Sequence, residues 1–123
     1  MIGCGTALQS SEPPHHRMVV LSDPAQTDGM VVLVRITTAG RNWPDEACFL
    51  DPSDWPELQH RSTVAYSTCK FGQSLPQLEA AILAGLLRVI PSPPPATIRR
   101  IIHAAQSAEG MPPGARKWLA APP

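Results

Sequence analysis

The residues best suited to chemistry in this chain are a histidine, an arginine and a threonine at the ends of two apolar segments. His16 and Arg17 lead into the apolar residues 18–21, and Thr37 follows residues 30–36, which are apolar apart from Arg35. The turn-forming residues between the segments predict an antiparallel hairpin, in which the start of one strand lies beside the end of the other. We therefore expect Arg17 and Thr37 to be neighbours. A guanidinium and a hydroxyl placed in this way can hold a phosphate group, because the donors of arginine match phosphate oxygens.

Two histidines are candidates for the proton transfers that cleavage of a phosphodiester by a neighbouring hydroxyl requires, because imidazole titrates near neutral pH. His16 precedes Arg17, and the segment His60-Arg61-Ser62 places a base, a cation and a hydroxyl in succession. Consecutive strand residues point to opposite faces, which favours the alternative that His60 caps or packs within a loop.

Metal chemistry has little support in the sequence. The side chains that zinc prefers occur as His15, His16, His60, Cys48 and Cys69. They follow no spacing typical of metal ligands, so we expect no metal site and no cofactor. The cysteines include no CxxC pair, which indicates reduced thiols and a cytoplasmic location.

The charge balance excludes binding driven by a global field. The chain has 123 residues, with 10 Lys plus Arg and 10 Asp plus Glu, so its formal net charge is zero. Any phosphate site must therefore be local. The start of the chain has no secretory signal, and no apolar run approaches the roughly 20 residues of a membrane span, so no membrane association is expected.

The chain length predicts one domain. We expect a flexible Pro/Ser-rich arm over residues 1–15, a barrel domain with C-terminal helices over 16–110, and a Pro-rich basic tail over 111–123.

The pattern within the domain changes from strands to helices. Predicted strands cover residues 18–21, 30–36, 47–50 and 62–66, and predicted helices cover 75–87 and 95–108, followed by a short basic piece at 115–119. The capping-box form of Ser74 and Gln77 supports the first helix, with Leu75, Leu78, Ile82, Leu83 and Leu86 as its apolar stripe. Short strands between Pro, Gly and Asp turns, followed by helices, favour the α+β class, with a small, strongly bent antiparallel sheet or barrel.

Several of these residues together resemble a known family, the MazF/PemK toxins of bacterial toxin-antitoxin systems. The similar positions are His16-Arg17, residues 19–22, the Asp28-Gly29 turn, residues 32–38 and residues 60–64. The resemblance implies an SH3-like barrel that forms a homodimer and a metal-independent endoribonuclease that acts on single-stranded RNA. It also implies an antitoxin protein as partner. The family's opening strand has no recognisable counterpart before His16.

The resemblance assigns roles to individual residues. Arg17 and Thr37 would carry catalysis, and His16 would assist, with His60 as a second candidate for moving protons. The expected RNA-binding residues are Thr38, Arg41, Arg61 and Ser62.

A non-catalytic SH3-like protein-interaction module is the alternative. It would use the same barrel and the aromatic, acidic residues 43–57 to bind a protein partner. Trp43, Trp55 and Tyr66 suit either stacking on bases or packing against the domain. An open electropositive cleft around Arg17 and Thr37 would favour the ribonuclease, and a covered surface would favour the module.

Overall fold

A six-stranded antiparallel sheet, curled into a half-barrel, is the centre of the computed structural model, which describes residues 2–39 and 45–120. The strands are β1 Ala7–Ser10, β2 Arg17–Val20, β3 Met30–Thr38, β4 Phe49–Leu50, β5 Ser62–Ser74 and β6 Leu87–Ile90, and the helices are α1 Leu75–Leu83, α2 Pro95–Ala105 and α3 Pro113–Arg116. The strand order is β4-β5-β3-β2-β1-β6. The predicted α+β class and bent antiparallel sheet are confirmed.

Strand β1 corrects the prediction of a flexible arm over residues 1–15. It lies inside the sheet, with β2 on one side and β6 on the other. Ala7 and Leu8 are fully buried. The strand has few apolar residues and is flanked by Gly5 and Ser11, so its sequence resembles a loop. Pairing along both edges, rather than intrinsic propensity, makes this segment a strand.

The predicted hairpin is confirmed by the antiparallel pairing of β2 with β3. The predicted strand at 62–66 is too short, because β5 continues to Ser74 and pairs with β3 along most of its length. The register between β3 and β5 shifts twice, between Val31 and Leu33 and again between Leu33 and Arg35. Such irregularities bend a strand, and they give the sheet its curl.

Helix α1 starts as predicted, with the reciprocal capping box of Ser74 and Gln77. It is shorter than the predicted 75–87, because Gly85 has a φ of 79° and the following residues turn back. The amide of Leu86 donates to the Ala81 carbonyl and that of Gly85 to the Ile82 carbonyl, the hydrogen bonds of a Schellman motif. The predicted apolar stripe is wrong at Leu83 and Leu86, which are exposed.

The chain then forms β6, an edge strand that the sequence did not predict. Helix α2 follows within the predicted 95–108. The Pro-rich basic segment after residue 110 packs on the domain, since Met111 and Ala115 are buried and the amide of Ala120 donates to the Leu21 carbonyl.

The two sheet faces carry separate apolar clusters. One face packs with α2, α3 and the buried Trp55. The opposite face contains Leu8, Val20 and Leu33, and it packs against Leu78 of α1. Helix α1 covers only part of this second face. No helix in the described ranges has the length and apolar character to cross a membrane.

Candidate functional site

The strand register separates the two residues that the sequence placed at the centre of the site. Arg17 lies directly opposite Ile36, and Met18 lies opposite Arg35. Residues opposite each other share a face, so Arg17 is on the face of the larger cluster while Met18 and Arg35 are on the other. Thr37, next to Ile36, points away from the face of Arg17. The prediction that Arg17 and Thr37 are neighbours on one surface is wrong.

A cleft of about 220 Å³ lies on the face that α1 leaves partly open. Its lining combines basic residues, polar residues and an apolar floor: His16, Arg35, Lys70, Ser10, Thr68, Gln73, Met18, Leu33 and Leu87. No aspartate or glutamate is among the described residues of this lining. The cleft is therefore a local basic site in a chain of zero net charge.

The β1–β2 connection fixes His16 in the cleft. The His16 amide donates to the Ser10 hydroxyl at 2.8 Å and to the Pro14 carbonyl at 2.9 Å. Its carbonyl accepts from the Ser10 amide at 3.0 Å. These three hydrogen bonds hold the backbone of His16 at the cleft.

Strands β3 and β5 supply the two cations. Arg35 projects from β3 beside Met18, and Lys70 lies opposite Leu33. The second register shift between β3 and β5 inserts extra residues between Ala65 and Lys70. This irregular stretch brings Thr68 to the cleft, where its hydroxyl donates to the Ala65 carbonyl at 2.8 Å.

The surroundings of His16 favour the neutral imidazole. Partial burial lowers the pKa of His16 from its usual 6.5, and the positive charges of Arg35 and Lys70 lower it further. A neutral imidazole accepts a proton at physiological pH. An anion in the cleft would offset the two charges, so binding of an anion and protonation of His16 favour each other.

Arg17 lies on the opposite face in a row that crosses the sheet. Gln9 of β1 lies between Arg17 and Arg88 of β6 and is directly opposite both. The Arg17 Nε is buried without a hydrogen-bond partner. Arg17 therefore does not line the cleft that contains His16.

Thr37 and Thr38 also lie on opposite faces. The register that pairs Arg17 with Ile36 places Thr37 across from His16, on the cleft's face but outside its lining. Thr38 lies opposite Ser62 on the other face.

The segment His60-Arg61-Ser62 is not part of the cleft lining. The Arg61 carbonyl accepts from the Ala39 amide, which is four positions along the chain from Arg35 of the lining, or about 13 Å of extended strand. Arg61 stacks on Phe49, with its guanidinium carbon 4.6 Å from the ring centre. The Ser62 hydroxyl donates to the His60 carbonyl at 2.9 Å, which matches the alternative of a locally packed loop. Arg41, the remaining predicted RNA-binding residue, lies outside the described residues.

The aromatic candidates that the structure describes pack inside the protein. Trp55 is buried, and its Nε1 donates to the Pro91 carbonyl at 3.0 Å. Tyr66 is buried, and its hydroxyl donates to the Ile101 carbonyl at 2.7 Å. Both rings are unavailable for stacking on bases. Trp43 lies outside the described residues.

The cleft contains two basic residues that the sequence did not indicate. Arg35 is the single charged residue in an otherwise apolar strand, and this interruption was an available signal. Lys70 had no comparable signal, because its position depends on the irregular register of β5. Elsewhere in the described ranges, no cluster of at least three His, Cys, Asp or Glu side chains is arranged to hold a metal ion.

A second, larger cavity has the opposite charge. Its space of about 500 Å³ is lined by three acidic residues, Asp45, Glu46 and Glu109. Carboxylates repel phosphate, so this cavity is unsuited to the chemistry considered for His16.

Comparison with known proteins finds no family model that matches the chain and no curated protein that matches it.

Proposed function

We propose that this protein is a MazF/PemK-like toxin, a metal-independent endoribonuclease that binds single-stranded RNA in the cleft around His16. The observation that supports this most is the combination of Arg35, Lys70 and a histidine in one lining without a carboxylate, where burial and the two cations lower the pKa of His16. Two fixed cations match the charge of a phosphodiester, and a neutral imidazole supplies the base.

The reaction is attack by the 2′-hydroxyl on the adjacent phosphorus. His16 accepts the 2′-hydroxyl proton while the O2′–P bond forms. Arg35 and Lys70 stabilise the negative charge that develops on the phosphoryl oxygens. The P–O5′ bond breaks, the leaving oxygen takes a proton from water, and the imidazolium of His16 returns its proton to the hydroxide that remains. The products are a 2′,3′-cyclic phosphate and a 5′-hydroxyl end.

This proposal transfers the charge-stabilising role from Arg17 to Arg35. Arg17 is on the far side of the sheet from His16, and a single phosphate cannot contact both faces. Thr37 lies across from His16 by register and remains a candidate for orienting the RNA next to the cleft. The roles that the resemblance suggested for Arg17, His60 and Arg61 are not used.

Cleavage of an unstructured RNA in EDTA tests the proposal. Purified wild-type protein is compared with His16→Gln, Arg35→Gln and Lys70→Gln, with Arg99→Gln as the matched control. Arg99 is exposed on α2, which packs on the other sheet face. We expect the cleavage rate of each cleft variant to fall at least about 100-fold below that of the wild type.

Three outcomes decide the test. The mechanism is supported if Arg99→Gln keeps wild-type activity, the cleft variants lose activity, and RNA with a 2′-deoxy scissile position is not cleaved. Loss in Arg17→Gln with full activity in Arg35→Gln would overturn the placement of the site. Absence of cleavage by wild-type protein overturns the ribonuclease. Unfolding midpoints measured for each variant separate catalytic loss from misfolding.

The proposal includes the finer features implied by the family. These are an SH3-like barrel, a homodimer, a cytoplasmic location and an antitoxin protein that blocks the toxin. Co-expression of the neighbouring gene with this one tests the last point, since an antitoxin should restore growth that the toxin arrests.

The alternative function is a protein-interaction module, and one observation favours it. Leu83, Leu86 and Val89 are 90%, 61% and 58% exposed, and Val89 lies on the edge strand β6. An exposed strand edge beside apolar side chains suits pairing with an extended segment of another protein. Val89→Lys should abolish such binding and leave RNA cleavage unchanged. If Val89→Lys instead reduced RNA cleavage and left protein binding unchanged, the module would be excluded.

A further inference from the structure

The Arg17 side chain is partly exposed, but one of its donors is enclosed in the protein. Its Nε is buried without a hydrogen-bond partner. Within residues 2–39 and 45–120, its guanidinium makes no hydrogen bond and no ion pair. Buried donors are normally paired, so an unpaired one indicates a water, an ion or a ligand that completes the site.

Arg116 shows what a structural arginine looks like in the same protein. Its Nε is also buried without a partner, but its guanidinium donates through Nη2 to the Ala108 carbonyl at 2.7 Å. Arg116 therefore has a fixed protein acceptor, and Arg17 has none in the described part of the chain.

The neighbours of Arg17 add a second cation and an amide. Gln9 lies between Arg17 and Arg88, and all three side chains are on one face. Arg88 donates from Nη2 to the Gln9 Oε1 at 2.5 Å. Strands β2 and β6 are two strand spacings apart, about 10 Å, so the two guanidinium groups can meet over Gln9.

The charges in this row are unbalanced. Two guanidinium groups stand on either side of one buried amide, and the Gln9 oxygen is already used by Arg88. The ion pair found among the described residues joins Arg100 to Asp54 and involves neither arginine. Two like charges on one face favour a bound anion, whose oxygens would accept hydrogen bonds from both guanidinium groups.

We propose that Gln9, Arg17 and Arg88 form a binding site for a tetrahedral oxyanion, a phosphate group. The arginines would donate to its oxygens from both sides, with Arg17 using the buried Nε. Because Arg88 donates to the Gln9 side-chain oxygen, the side-chain nitrogen of Gln9 would serve as a neutral donor to the same ligand. The site lies on the opposite sheet face from the His16 cleft and does not depend on RNA cleavage.

Titration of the folded, full-length protein with inorganic phosphate tests the site. The Nε–H resonance of Arg17 in ¹⁵N-labelled protein is a direct probe, since this atom would gain the new hydrogen bond. We expect a saturable shift with phosphate, and with a dinucleotide that carries one phosphodiester. Acetate, a planar carboxylate of lower charge, should bind at least tenfold more weakly.

Two variants make the assignment specific. Arg88→Lys keeps the positive charge but removes the planar guanidinium group with its paired donors, and it should weaken phosphate binding about tenfold. Arg88 is exposed, so this variant should fold normally. Arg99→Lys on α2 is the matched control and should bind phosphate like the wild type.

The outcomes separate this site from the cleft. In the double variant His16→Gln/Lys70→Gln the Arg17 shift should persist, even though cleavage is lost. Absence of a saturable shift at Arg17 would mean that water completes the site, and it would overturn the proposal whatever the ribonuclease assay shows. Binding unchanged by Arg88→Lys, or acetate as tight as phosphate, would overturn it as well.

Discussion

Removal of the Leu8 side chain tests whether the first ten residues belong to the fold. Leu8 is fully buried in the smaller apolar cluster, on a strand that has neighbours on both edges. Replacing a buried leucine by alanine costs about 2–5 kcal/mol, through lost transfer energy and the cavity left behind. Single domains unfold with about 5–15 kcal/mol in total, so Leu8→Ala should remove a large part of the stability. For a domain of this size the midpoint should fall by roughly 10 °C.

The assay is thermal and urea unfolding followed by circular dichroism, and the matched control is Leu83→Ala. The control makes the same chemical change at a side chain that is 90% exposed, so its unfolding free energy should change by less than about 0.5 kcal/mol. Deletion of residues 2–10 should prevent cooperative unfolding altogether, because β1 is the strand that pairs with β6 in the described sheet. Equal midpoints for Leu8→Ala, Leu83→Ala and wild type would refute the placement of β1 in the sheet.

The other predictions concern the cleft and the core. By NMR titration, the pKa of His16 should rise in Lys70→Gln and also when phosphate fills the cleft, because each change reduces the positive potential that lowers it; a pKa that does not move in either experiment would contradict the electrostatic account. Tyr66→Phe should cost about 1–3 kcal/mol of unfolding free energy, because a buried carbonyl of α2 loses its donor. A stability equal to wild type in urea would show that this hydrogen bond contributes nothing. Gly110→Ala should be destabilising, because its Cβ would lie 2.7 Å from a carboxylate oxygen, whereas Gly3→Ala has open space and should not be; similar urea midpoints for both variants would contradict this packing.

The parts of the fold that sequence patterns predicted are those whose signals are local. The hairpin of β2 and β3 follows from two apolar runs and a turn, and α1 begins at its capping box. The strand β1 could not be predicted, because Gln9 and Ser10 are poor strand formers and pairing with β2 and β6 holds them. For the same reason β6 is not predicted, since only Leu87 falls in the predicted helix and residues 88–90 are assigned to no element. Its strand structure follows from the turn at Gly85 and from a partner strand far away in the sequence.

The site was predicted in part. His16 lies in the cleft as a candidate base, and the sequence identified it by its type and position. The partner chosen for it was wrong in geometry, because adjacent strand residues face opposite sides and Arg17 follows His16 directly. Arg35 and Lys70 take the place beside His16 through cross-strand contact and an irregular register. Register is a long-range property, and a single sequence specifies it weakly.

The alternation of strand side chains has a further consequence for how the basic residues are used. His16 and Arg17 are neighbours in sequence, yet each belongs to a different group of cations, one with Arg35 and Lys70 and the other with Gln9 and Arg88. A sheet only one layer thick keeps the two groups apart, because the backbone and the apolar side chains lie between them. A ligand held in the cleft therefore cannot contact Arg17, and the phosphate site that we propose on the opposite face is independent of whether the cleft cleaves RNA or only binds it.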